Sequence, residues 1–527
     1  MCGRDGTDTG GPYGADGWCG RMVRSREPVI LMEEVIMSTF QSTAQEGAIY
    51  DARSLGRPKM IILGLQHMFA MFGATVLVPL LTGLSVSTTL LFAGLGTLLF
   101  HLITKRKVPA FLGSSFAFLG GYAAIAPMVN GQPSHDLPYA CFGVACAGLV
   151  YLVLAGLFRA FGSNKVMRYF PPVVTGPIII AIGLNLSASA LNNILQTSAD
   201  DAGNTVLANP HTWWIALVAI VIVIVCNIWG RGMVKIIPIL LGVLGSYGCA
   251  ILYDLAIGGG FIKWETVKNA AWIGLPVKAE NTVFSLFTSG NLDHGKLIAA
   301  VVTIVPIAFA TMMEHIGDVS AISSTTGINY IKDPGLHRTL TGDGLATTVA
   351  SLFGAPANTT YGENTGVLTL TRVYDPAVIR LAAWFAVALS FCPKFAAIIE
   401  IMPSEVIGGI SLVLYGMISA VGVRNLVETH CDFSKSRNVL IAALILVLSL
   451  GISNSAMGAI NIPVGSMTIS FSGLATGSLV GIILNAVLPG KDYVFDEGEP
   501  NDTGVDLQIA QGENLGEEME AKKAKKN

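Results

Sequence analysis

Two groups of acidic residues sit in stretches that are otherwise apolar. One is Glu363, within Thr359-Thr360-Tyr361-Gly362-Glu363-Asn364-Thr365-Gly366-Val367-Leu368-Thr369-Leu370-Thr371-Arg372. The other is Glu314-His315-Ile316-Gly317-Asp318. An ionised carboxylate accepts hydrogen bonds only, so Glu314 and Glu363 suit a ligand that presents N–H groups. Phe116 and Tyr361 offer flat apolar faces, and the backbone amides that open a helix can donate to carbonyl oxygens or anions. A planar molecule with alternating N–H and C=O edges fits this set. A nucleobase is one such molecule, although this chemistry does not demand it.

The segments carrying these groups belong to a membrane protein. Hydrophobic residues make up 52% of the 527 and charged residues 13%, against about 25% charged in an ordinary soluble domain. Mean hydropathy is +0.61. Ionisable groups at membrane depth are costly and mark substrate or ion paths. The net charge of −3 gives no reason to expect a nucleic-acid partner. Eight cysteines without a Cys-x-x-Cys pair point to neither disulfides nor a metal site. There is no His-Glu-x-x-His spacing and no Ser/His/Asp nucleophile arrangement, so an intramembrane enzyme is disfavoured.

Apolar stretches near the bilayer-spanning length recur at 59–82, 87–104, 112–129, 137–158, 171–191, 212–230, 236–257, 297–322, 340–354, 358–374, 376–398, 404–422, 437–456 and 468–488. That predicts an all-α polytopic protein of fourteen transmembrane segments. Lys and Arg concentrate after even-numbered spans, at Lys105–Lys107, Arg159, Arg168, Arg231, Lys235, Lys332, Arg338, Arg372 and Arg424. The bias places both termini in the cytoplasm. The long 258–296 loop and Lys394 are the exceptions.

Seven plus seven spans implies an inverted repeat. The third and tenth spans occupy matching places, and each opens on small, hydroxyl-bearing and aromatic residues: Gly113-Ser114-Ser115-Phe116 and Asn358-Thr359-Thr360-Tyr361-Gly362. Each is expected to begin with a short strand, around Ser114–Phe116 and Thr359–Tyr361, the two pairing with each other. Paired broken spans are the strongest sequence pointer to a transporter's midplane site. Pro171, Gly176 and Gly183 are matched by Pro403, Gly408 and Gly416 in the fifth and twelfth spans.

Upstream, residues 1–36 are Gly-rich and polar, and Met32-Glu33-Glu34 can be encoded as a purine-rich ribosome-binding sequence ahead of Met37. These residues are expected to be translated leader. The tail 490–527 is acidic, ends in lysines and reads as disordered.

At this point a resemblance becomes specific. Gln66-His67-Met68-Phe69-Ala70-Met71-Phe72-Gly73-Ala74-Thr75-Val76-Leu77-Val78-Pro79, Gly113–Phe118, Glu314–Gly317 and Asn358–Asn364 closely resemble the bacterial uracil permease group of the nucleobase–ascorbate (nucleobase:cation symporter-2) transporter family. Glu363-Asn364-x-Gly366-x4-Thr371-Arg372 fits that family's signature, and the resemblance runs from about 55 to 490.

The resemblance implies a core domain from 58–168 and 296–399 and a gate domain from 169–258 and 400–489. Flanking these are a lead-in at 1–57, an extracellular loop at 259–295 and the tail. It implies proton symport in a bacterial inner membrane, with no cofactor beyond the proton gradient, by an elevator-like cycle and commonly as a homodimer. Carried over, Glu314 and Glu363 bind the base through its N–H groups and the amides of Phe116 and Gly362 meet its carbonyls. Phe116, Tyr361 and Ala74 line the pocket. Glu314, Asp318 and His315 are the proton-coupling candidates. Gln66, His67, Ser115, Asn364, Thr371 and Arg372 support the site or end its helix. Glu363 and Glu314-His315 look uracil-like, whereas Asp318 looks purine-like, since purine-type members more often have Asp there. The rivals are a xanthine or purine symporter on the same fold, and an anion exchanger or channel of sulfate-transporter-like architecture. Exchangers of that kind usually append a soluble C-terminal domain, where here about 38 polar residues follow the last span.

Overall fold

A computed structural model describes residues 48–490 apart from 129–132, 163–164, 167, 200–204, 208–210, 289–291 and 465–466. The expected leader and the C-terminal tail lie outside the described residues.

The helices that matter for the site are α1 (Arg57–Thr82), α2 (Val86–Ile103), the short α3 (Leu119–Ile125), α4 (Leu137–Phe161) and α5 (Pro172–Leu195). They are followed by α6 (Trp213–Ile228), α7 (Pro238–Ala256), α8 (His294–Ile304), α9 (Ile307–Thr326) and α10 (Leu336–Leu352). The chain closes with α11 (Gly362–Thr371), α12 (Pro376–Ser390), α13 (Pro393–Glu400), α14 (Ser404–Glu428), α15 (Ser436–Ser453) and α16 (Gly473–Val487). Among the described residues eight helical segments are long and apolar enough to cross a membrane, or nine if α12 and α13 count as one bent span. The molecule is therefore a mostly helical, multi-pass membrane protein.

Several starts follow from local sequence. Pro172, Pro238, Pro376 and Pro393 sit in the first turn of their helices, where a missing N–H costs nothing. Ser85 and Asp375 cap α2 and α12 through the amides of Thr88 and Ala377.

The expected spans map unevenly onto these helices. Among the described residues of 112–129 only the seven of α3 are α-helical, because the preceding backbone is spent on a strand and a turn. Residues 376–398 do not form one straight helix. The segment bends by 85° between α12 and α13, at Cys392-Pro393, where proline has no N–H to continue the ladder. Residues 468–472 are extended, not helical, and belong to a strand, Met467–Ser472, that pairs antiparallel with Ala459–Val464. Their Thr-Ile-Ser-Phe alternation suits a pleated strand.

Helix pairing is reciprocal. α4 packs on α10, α2 packs on α12, and α5 packs on α14, while α7 lies against α6 and α15 against α16. The α5–α14 contact is close: a Cβ at Gly183 would collide with the carbonyl of Tyr415 and with Ser419. Small residues permit such approach where no hydrophobic force drives helices together.

Candidate functional site

Two short strands cross at the heart of the bundle. β1 (Leu112–Ser114) and β2 (Asn358–Thr360) pair antiparallel, with Gly113 opposite Thr359. They lie one to two residues earlier in the chain than expected. Two further bonds extend the ribbon, Ser115 N–H to Ala357 O at 2.8 Å and Tyr361 N–H to Phe111 O at 3.0 Å.

A two-stranded ribbon leaves two outer edges, and buried backbone groups must be satisfied at membrane depth. One threonine serves each edge. The Thr97 hydroxyl of α2 accepts from Leu112 N–H at 2.9 Å and lies 3.2 Å from Leu112 O. The Thr347 hydroxyl of α10 accepts from Asn358 N–H at 3.2 Å and donates to Asn358 O at 2.9 Å.

From this crossing the chain turns into α3 and α11, with Phe116 just after β1 and Tyr361–Glu363 at the start of α11. Tyr361 is 5% exposed. Its ring lies against Gly113, where a Cβ would come within 2.4 Å of two ring carbons. Its hydroxyl donates to Ser114 O at 2.8 Å and lies 3.3 Å from Thr75 Oγ1.

Glu314 and Asp318 are one turn apart on α9, so helical spacing presents both to the same side. Phe116, Glu314, Asp318, Tyr361 and Glu363 line one small cavity, together with Thr359, Thr360 and Ala310. Asp318 accepts a hydrogen bond from Thr360 Oγ1 at 2.6 Å, which ties α9 to β2. The far wall is apolar: Ile179 and Ile182 of α5, with Leu414, Ile418 and Val421 of α14.

The other named residues, Ala74 and Gly362 among them, are not part of this cavity's lining. Ala74 is buried on α1 next to Thr75, and Gly362 is buried in the first turn of α11. His315 points elsewhere. It is fully buried, its Nδ1 lies 2.9 Å from Asp343 Oδ2, and Phe100 packs edge-on against its ring. Asn364 donates through Nδ2 to His67 O at 3.0 Å and sits 3.2 Å from His67 Nδ1, which fastens α11 to α1. Gln66 precedes this contact on α1 and is half-buried. Ser115 is buried and extends the strand pair. Thr371 closes the last turn of α11 through Val367 O, and Arg372 takes the left-handed cap conformation beyond it.

Sequence reasoning passed over the apolar wall, the two threonines and Asp343. Asp343 did carry a signal, as a lone acid between Gly342 and Gly344 in an apolar stretch. Among the described residues no cluster of His, Cys, Asp and Glu could hold a metal ion.

The chain matches the family model described as the permease family (Xan_ur_permease) over residues 58–458. It is 40% identical over 440 residues to the uracil permease of Bacillus subtilis, covering 83% of this chain and 95% of that protein. The uracil permease of Escherichia coli K12 is 35% identical over 442 residues, with 83% and 94% coverage. In structure the chain resembles the transmembrane domain of the cyanobacterial bicarbonate transporter BicA, at TM-score 0.55 and 16% identity, covering 83% of this chain and 99% of that one. SLC26A9 gives TM-score 0.53 at 14% identity, with 90% and 72% coverage. At such low identity these two likenesses concern the fold alone. With the model matched across most of its length and relatives this similar, the chain belongs to the xanthine/uracil permease family of transporters.

Proposed function

We propose that the protein imports a nucleobase, uracil, by proton symport. The observation that carries this reading is the shared cavity, in which two glutamates, an aspartate and two aromatic rings face an apolar wall. Uracil presents ring N–H groups to Glu314 and Glu363, its carbonyls to the amides of Phe116 and Gly362, and its faces to Phe116 and Tyr361. The names of the Bacillus and Escherichia relatives support the choice of uracil.

The proposal includes fourteen segments in a seven-plus-seven inverted repeat, both termini cytoplasmic. The reciprocal pairing of α4 with α10 and α2 with α12 supports it, as does the matched strand pair. The core comprises 58–168 and 296–399, the gate 169–258 and 400–489. The apolar wall from α5 and α14 is then the gate surface along which the core slides, carrying proton and base together in an elevator-like cycle as part of a homodimer. Asp318 or Glu314 takes the proton. His315, held against Asp343 inside the core, supports α9 from behind.

The test is uptake of labelled uracil into proteoliposomes with and without an inward proton gradient, against unlabelled xanthine. Gradient-driven uptake indifferent to xanthine supports the proposal. Strong competition by xanthine would transfer the assignment to a purine symporter and make Asp318 the better guide to specificity.

A further inference from the structure

The segment between α7 and α8 carries an apolar tip that the protein itself does not cover. Trp272, Ile273 and Leu275 are 73%, 84% and 86% exposed. The tip is nevertheless held in one place. Gly274 N–H donates to Phe391 O at 3.0 Å, and Lys394 N–H donates to Ala271 O at 3.0 Å. Gly274 also packs on Pro393. The tip is thus clamped to the bend between α12 and α13.

The depth of that clamp follows from α12. This helix starts beside Arg372 and Asp375, with Arg380 in its second turn, and runs for 15 residues. At 1.5 Å per residue it rises about 22 Å, less than the roughly 30 Å hydrocarbon thickness. Its far end therefore falls short of the opposite edge of the hydrocarbon layer, which keeps the tip bonded to it at or inside that edge and not out in bulk water. Phe391 itself is 39% exposed there. The flanking charges suit the same place. Lys394 Nζ sits 5.1 Å above the Trp272 ring and reaches the Lys268 carbonyl at 3.5 Å. An aromatic ring topped by an amine is the pattern of a membrane interface, with the amine facing lipid phosphates.

We propose that Trp272, Ile273 and Leu275 form an anchor inserted in the lipid interface of the leaflet opposite residues 48–56, with Lys394 and Lys268 meeting phosphate headgroups. The partner is the bilayer surface. Continuity with the lipid-facing side of α12, where Trp384 is 56% exposed, argues for lipid over a second copy of the chain.

The test uses full-length protein in nanodiscs of phosphatidylethanolamine and phosphatidylglycerol, with its eight native cysteines replaced by serine and a single cysteine introduced by Ile273→Cys, Leu275→Cys or, as control, Glu280→Cys. Each carries an environment-sensitive fluorophore, and some of the lipids are brominated near the headgroup end of their chains. The expected result is quenching at 273 and 275 at least about threefold stronger than at 280. Quenching at 273 no greater than at 280 would overturn the anchor. So would efficient cross-linking of Ile273→Cys between two copies, which would make the tip a protein interface. If labelling perturbs folding, a membrane-impermeant maleimide applied to unlabelled variants gives the same decision. Protection at 273 with reaction at 280 supports insertion, and equal reaction excludes it.

Discussion

The two strand-led segments share a backbone plan and divide the chemistry. Each gives three residues to one antiparallel pair, and each has its outer edge closed by a single threonine, Thr97 for Leu112 and Thr347 for Asn358. Beyond the crossing they differ. The first continues through Phe116 into a seven-residue helix with no charged side chain. The second continues through Tyr361 into a ten-residue helix with Glu363 in its first turn. Backbone satisfaction is a constraint that both segments meet alike, because unpaired groups at membrane depth are costly on either side. Recognition is a local choice, and one carboxylate on one segment leaves the other free to supply an aromatic face.

The largest effect should come from removing that asymmetry. Glu363→Gln replaces a charged acceptor with an amide and should weaken uracil uptake at least about tenfold, as expected from roughly 1.5–3 kcal/mol for a charge-assisted hydrogen bond. Thermal unfolding, measured beside it, should be unchanged. A matching fall in stability would mean that Glu363 supports the fold and does not hold the base.

The shared half of the comparison is tested next. Thr97→Val and Thr347→Val each leave a backbone N–H and C=O of one strand without their hydroxyl. Each should cost about 1–3 kcal/mol, read as a fall in thermal unfolding temperature in detergent. The two should be similar in size. A large effect at one and none at the other would show that the strands are not held alike.

Much of the site was legible in the sequence, for a physical reason. A carboxylate in an apolar segment is expensive, so Glu314, Asp318 and Glu363 stood out, and the glycine- and hydroxyl-rich openings at 113 and 358 announced broken backbone. These residues do converge on one cavity. The apolar wall was not legible, since Ile179, Ile182, Leu414, Ile418 and Val421 resemble every other membrane-facing residue until packing turns them inward. Thr97 and Thr347 were silent for a similar reason: a threonine in a span usually bonds its own helix. The bend at Pro393 was readable in principle, but the apolar run across it outweighed the single proline. The strand pair of 459–464 with 467–472 was masked because its second strand runs directly into the apolar helix α16.

Smaller effects bear on the site's remaining walls. Asp318→Asn should flatten the dependence of uptake on external pH if Asp318 takes the proton; an unchanged profile would reassign that role to Glu314. Asparagine keeps an acceptor for Thr360, so folding should be little affected. Leu414→Ala, on the opposite apolar wall, should raise the KM for uracil by less than about tenfold, in keeping with about 1 kcal/mol for a trimmed apolar contact. A total loss would instead give the wall a direct part in holding the base.

The most direct test of the account is calorimetric titration of the purified protein with uracil, wild type beside Glu363→Ala, with thermal unfolding recorded for both. The account predicts saturable binding to the wild type and none to a folded Glu363→Ala protein. Wild-type affinity in that variant would contradict the assignment of Glu363, and with it the division of chemistry between the two strand-led segments.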